Sequence, residues 1–431
     1  MIARRARWVA LGCFALLSGR LLWRAFRLRG EVPFWDQWDF LDPLFRGGGI
    51  GELFLRQHGP HRQGVGGALY GVLYPLSGWN TALESMLAAA LVIATAALAL
   101  LVAKRIFGGL TAWDAAVPLC VLTGLQADAY LTQSNLAHSA VPVLLIVLAA
   151  LLLTDAAPRA SPAKPAPPVE REALRTGGLL AVDFLAFFTG FGFVLALPLR
   201  LLWLMSPRRN ALALAASVVT PALFFARYSF EPAVDCFSFP HPRPWEYAPY
   251  FGLLLARPFG VTGVQGLRVL LVVAAAALLV GTAVLAFRRS LGGGEPKWNV
   301  AFLLAGTTMV FAALTTVGRV CLGLGTAPSP RYAPYVVPGL LAAYFAVRAE
   351  APRLLPVLLI VLVAKELAIG LRPLKEVEQI RGGKERWREC IVRLGDVEQC
   401  QRVFAIYPAP AWTDLQRKVD WLRERRLNAF R

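Results

Sequence analysis

Asp36 and Asp39 stand in the run Pro33-Phe34-Trp35-Asp36-Gln37-Trp38-Asp39-Phe40, directly after the first apolar stretch of the chain. Two carboxylates set among aromatic rings at the edge of a bilayer suit proton transfer on one side of it. Such an Asp can take the proton from an acceptor hydroxyl as its oxygen attacks a sugar. The two are three residues apart, so a helical segment places both on one face. Gln57-His58-Gly59-Pro60-His61-Arg62 follows in the same loop. Its two histidines and arginine can steady a departing phosphate through charge-assisted hydrogen bonds. Arg319 in Gly318-Arg319-Val320 and Arg331 in Ser329-Pro330-Arg331-Tyr332 add two guanidinium forks that match phosphate oxygens. Trp35, Trp38, Gln57 and Tyr332 are candidates for lining a substrate cavity. The same Asp and His side chains can alternatively hold a divalent cation. The structural alternative is that the aspartates cap a juxtamembrane helix, the tryptophans form an interfacial belt and the arginines pair with headgroups.

The elements that must position these groups belong to a membrane protein. Hydrophobic residues make up 57% of the chain, the mean hydropathy is +0.53, and apolar stretches of bilayer-crossing length recur from end to end. The formal charge of +18 comes from short Arg and Lys clusters between those stretches rather than from one basic face. Nucleic acid is therefore not an expected partner, and the clusters read as topology.

With Arg4, Arg5 and Arg7 inside, the first span covers roughly 8 to 28, as a retained signal-anchor. Further spans fall near 82 to 103, 113 to 127, 136 to 153, 211 to 227, 264 to 287, 299 to 316, 334 to 347 and 352 to 370. Residues 177 to 206 form either one long helix or two short ones broken at Thr189-Gly190-Phe191-Gly192. Two helices keep Arg208, Arg209, Arg288, Arg289 and Lys297 inside, as the charge rule prefers. The expected fold is an all-α polytopic bundle of about eleven spans.

The spans form one unit over 1–370, with external loops 29–81, 228–263 and 317–333 and a proline-rich, disordered cytoplasmic linker over 154–176. The small tail 371–431 lies outside with the loops. In loop 228–263, Glu231, Asp235, His241, Arg243 and Glu246 are weaker candidates for an acceptor groove. Asp183 is a costly charge in an apolar helix, either part of the cavity or a helix–helix contact. In the tail, Cys390 and Cys400 are close enough in sequence to form a disulfide in an oxidising compartment. Cys13 and Cys120 read as packing residues, and no Cys-x-x-Cys pair or His/Cys cluster marks a zinc site. Trp412, Leu415, Val419 and Leu422 recur at helical spacing among basic residues. That helix is expected to lie on the membrane surface, to cap the loops, or to serve as a lid over a lipid substrate.

A short N-terminus, one span and an external loop with aromatic-flanked aspartates resemble the GT-C-fold glycosyltransferases. The run Phe34 to Phe40, Gln57-His58 with His61-Arg62, Gly318-Arg319, Ser329 to Tyr332, Tyr407-Pro408 and the closing Leu427-Asn428-Ala429-Phe430 are similar to a largely uncharacterised bacterial membrane group related to that superfamily. The resemblance runs from end to end. It implies an inner-membrane enzyme that takes a monosaccharide from a polyprenyl-phosphate donor to a cell-envelope acceptor. The transfer would be inverting, with Asp36 or Asp39 as base and His58, His61, Arg62, Arg319 and Arg331 around the phosphate. The chain departs from the group at Gly59-Pro60 and carries no Asp-x-Asp pair. Flippases and non-catalytic assembly subunits share the topology. The spans hold few charges besides Asp183 and Lys365-Glu366, which counts against a transport pathway.

Overall fold

The computed structural model describes residues 2–126, 136–154, 168–205, 211–230, 234–291, 294–370, 375–407 and 412–431. Expectations for Glu231, for Arg208 and Arg209, for Pro408, for the loop after Gln126 and for linker residues 155–167 lie outside these residues. The chain is almost wholly helical, and the only strands among the described residues are Gln57–His58 and His61–Arg62.

Among the described residues, five helical stretches are long and apolar enough to cross a membrane. They are Arg7–Leu28, Thr81–Phe107, Arg268–Ser290, Pro296–Leu322 and a stretch within Pro352–Leu394. This makes the chain a membrane-embedded all-α protein. The other apolar segments are shorter, among them Ala140–Thr154, Gly190–Met205 and Ala213–Phe225. Hydropathy alone counts a short helix shielded by protein the same as a spanning one, so it cannot separate the two kinds.

The stretch expected as a span over 113 to 127 shows the distinction. A capping box of Thr111 and Asp114 opens a 3-10 turn at Ala112–Ala115, and the α-helix that follows covers only Ala116–Val121. Every residue of that helix is buried. Irregular backbone at membrane depth is tolerated in such surroundings because neighbours, not lipid, satisfy it. At the centre runs Ala333–Glu350, buried at every position from Ala333 to Ala346 and packed against Pro296–Arg319 and Ala140–Thr154.

The break within 177 to 206 is present. One helix runs Pro168–Phe187, a 3-10 turn follows at Gly190–Leu195, and a second helix runs Ala196–Met205. The first of these begins inside the stretch expected as linker. Thr189 stands at the break, where its hydroxyl donates to Leu185 O at 2.6 Å and accepts from Val65 N at 3.0 Å. Two glycines permit the close approach. Gly64 and Gly190 both adopt positive φ, and a Cβ on them would collide with Phe188 O and Ala137 O respectively. The broken helix, the histidine hairpin and the segment before His138 are thereby pressed together.

The tail caps the first loop, one of its expected placements. Leu415, Val419 and Leu422 are buried, Lys418 Nζ donates to Trp38 O at 3.1 Å, and Trp35 N donates to Ile406 O at 2.8 Å. Cys390 and Cys400 are bridged as expected, and a second disulfide joins Cys236 to Cys321.

Candidate functional site

The short helix Gln37–Phe40 begins just after Asp36, whose carboxylate makes no capping bond and faces a cavity of about 560 Å³. The hairpin turns at Gly59, which has positive φ, and sets His58 opposite His61. His58 Nε2 lies 3.8 Å from Asp36 Oδ2. His61 lies deeper, its ring 4.0 Å from that of Phe191 and 5.2 Å from that of His138. Arg319 ends the helix Pro296–Arg319, and Arg331 donates to Tyr332 OH at 3.2 Å. Asp36, His58, His61, Arg319, Arg331, Trp35 and Tyr332 all line this one cavity. Neither Arg319 nor Arg331 forms an ion pair among the described residues.

Burial decides the charge of the deeper histidines. Enclosure, aided by His58 and Arg319, pushes the His61 imidazole down to about 3. Burial, then the neighbouring His61, His58, Arg319 and Arg331, also lowers His138 well below the usual imidazole range. Both rings are neutral at physiological pH. His61 Nδ1 is buried without a hydrogen-bond partner among the described residues. The permanent positive charge of the cavity therefore rests on its two arginines.

A second, apolar compartment of about 450 Å³ opens on the other side of His61 and Arg319. Phe187, Phe193, Phe224, Phe225, Tyr228, Phe230 and Leu314 line it, and Pro60, His61, Phe191 and Arg319 border both spaces. The Cys236–Cys321 bridge ties the loop that carries Phe230 and Phe237 to the end of the Arg319 helix. The joined spaces can take a molecule with a long apolar part, an anionic group at Arg319 and a polar head beside Asp36.

A buried network holds the walls. Gln37 Oε1 accepts from Phe34 N at 2.7 Å, and Gln37 Nε2 donates to Glu84 Oε2 at 3.0 Å. Tyr70 and Tyr74 hydroxyls donate to Glu84 at 2.9 and 2.6 Å, and Leu136 N donates to Tyr70 OH at 3.0 Å. One carboxylate thus connects the backbone before Asp36 to the backbone before His138.

Five expected site residues have other employment. Arg62 lies outside the cavity because its guanidinium is used up on backbone carbonyls: Phe224 O at 2.9 and 3.1 Å, Leu55 O at 2.6 Å and Ala226 O at 2.9 Å. Asp183 receives both terminal nitrogens of Arg200, at 3.1 and 3.0 Å, across the helix break, which makes it a helix–helix contact. Asp39 accepts from Tyr407 OH at 2.6 Å and so anchors the tail. Trp38 is buried between Phe45 and Trp387, and Gln57 donates to Gly59 O and Ser229 O. Among the described residues no group of His, Cys, Asp and Glu side chains is placed to hold a metal ion.

His138, Glu376 and Phe404 also line the cavity, and sequence reasoning did not assign them to it. His138 had a usable signal, since the chain has only 4 histidines and the other two cavity histidines were already in view. Comparison with family models, curated proteins and solved structures returned no match.

Proposed function

We propose that the chain is a GT-C-like inverting glycosyltransferase of the bacterial inner membrane, with a cytoplasmic N-terminus and a periplasmic tail. It moves a monosaccharide from a polyprenyl-phosphate donor to a cell-envelope glycan, lipid or protein. One observation carries the reading. An exposed carboxylate, two arginines without ion-pair partners among the described residues and neutral histidines share a cavity that continues into an aromatic-walled apolar groove.

In this reading the prenyl chain occupies the groove and its phosphate lies at Arg319 and Arg331. Asp36 takes the proton of the acceptor hydroxyl as that oxygen bonds to the anomeric carbon, and the bond to the lipid phosphate breaks with its electron pair on the phosphate. The arginines hold the charge that develops there. His58 steadies Asp36, and His61 and His138 offer N–H donors without further charge.

The test is transfer of radiolabelled sugar from a panel of polyprenyl-phosphate donors by protein reconstituted in lipid, comparing wild type with Asp36→Asn. Transfer that disappears in the variant while the melting temperature holds supports the reading. Saturable binding of lipid-linked sugar that survives the substitution, with no turnover of any donor, transfers support to a flippase or a non-catalytic assembly subunit.

A further inference from the structure

The first spanning helix carries cations at both ends. Arg4, Arg5 and Arg7 stand at its start, and Arg27 in its last turn is followed by Arg29 just past its end. Basic residues at one end of a span are ordinary topology, whereas a second cluster at the opposite end needs another partner. At that closing end lies a cavity of about 600 Å³ that shares no lining residue with the cavity of Asp36 and the histidines. Arg27, Arg29, Arg381, Lys384 and Arg388 face it, against Glu31, Glu385 and Glu389.

The carboxylates do not saturate the cations. Arg388 pairs with Glu31 at 2.9 Å and Arg381 with Glu385 at 3.4 Å. The Arg27 side chain has no ion pair among the described residues and lies over the Trp23 ring at 5.8 Å, while its backbone carbonyl accepts from Arg381 Nη1 at 2.7 Å. Arg388 Nε is buried without an acceptor, an arrangement that costs free energy until an anion arrives. Lys384, 5% exposed, closes the floor against Gly30, where a side chain would strike its methylene stem.

Apolar surface leads into this cavity from one direction. Leu16, Trp23 and Phe26 form an exposed stripe along the first helix, at 74%, 60% and 56% exposure. The stripe ends at Arg27. Acyl chains along it would bring a headgroup phosphate to the guanidinium forks, which bind such oxygens in bidentate fashion.

We propose that this cavity is a binding site for the phosphate of an anionic phospholipid, separate from the transferase cavity and independent of that reading. The test places the full chain in nanodiscs of phosphatidylcholine with increasing phosphatidylglycerol, and reads retained lipid by native mass spectrometry. Wild type is expected to retain phosphatidylglycerol selectively, and Arg27→Gln/Arg388→Gln to lose about tenfold or more in apparent affinity. Arg402→Gln, whose exposed side chain pairs with Glu398, serves as the control and leaves retention unchanged. Equal retention of both lipids, equal losses in the control, or the same protection from inorganic phosphate alone would overturn the proposal. If the double variant does not fold, Arg388→Gln alone repeats the test, because its ion-pair partner Glu31 is more than half exposed.

Discussion

Asp183 and Asp36 are both aspartates beside helical backbone, yet one has both carboxylate oxygens taken by Arg200 while the other faces a cavity with an imidazole 3.8 Å away. The same contrast separates whole regions. Inside the bundle, Asp114 is bound by Arg348 and Tyr344, and Glu366 by Arg20 and Lys365. Around the cavity, Arg319 and Arg331 keep donors to spare. Charges in the bundle are matched because an unpaired one in a low-dielectric interior costs several kcal/mol. Charges in the cavity are left incomplete, which is tolerable only where water or a ligand completes them.

Asp36→Asn should break this comparison most sharply. Under the proposed transferase reading, sugar transfer is expected to fall by about 10²- to 10⁴-fold, with no change in the thermal unfolding midpoint. Asp183→Ala should do the reverse, lowering stability by about 3–5 kcal/mol in denaturant unfolding. The paired change Asp183→Leu/Arg200→Leu should restore most of that loss. Arg319→Gln should weaken the apparent affinity for lipid-phosphate donor by about 10- to 100-fold in a titration, equivalent to one or two charge-assisted bonds, and leave the fold intact.

His61 sharpens the comparison through pH. Its folded value of about 3 lies below the ordinary 6.5, so the unfolded chain takes up the proton first. Stability is therefore fully present above pH 6.5 and declines as pH falls toward about 3, by about 1.4 kcal/mol per unit. Melting curves of His61→Asn should show a shallower acid slope than wild type. Tyr407→Phe is the smallest change, removing one hydrogen bond to Asp39 for about 1 kcal/mol in chemical unfolding. It should leave transfer nearly unchanged if Asp39 serves the tail.

The helical membrane class was legible because hydropathy is summed over long windows, and the break at Thr189-Gly190 because glycines and charge parity agree. Asp36, His58, His61, Arg319 and Arg331 were legible as polar groups in loops that had to meet somewhere. The backbone partners of Arg62 were illegible because they lie as far as 164 residues away and are carbonyls, which no side-chain pattern reveals. Asp183 needed Arg200, which sits on the far side of a turn whose geometry depends on Gly64 and Ala137. The Cys236–Cys321 pair, 85 residues apart, was silent because nothing local links its ends.

That bridge has a bearing on how the protein is made. A covalent bond joins only residues in one compartment, so Cys236 and Cys321 require an even number of crossings between them. The stretches Arg268–Ser290 and Pro296–Leu322 supply two. Synthesis must deliver both of these helices before the second thiol can reach the first. Closure of the Phe230 side of the groove is thus a late event in biogenesis, and material produced without an oxidising partner would carry a finished bundle with an unfastened groove wall.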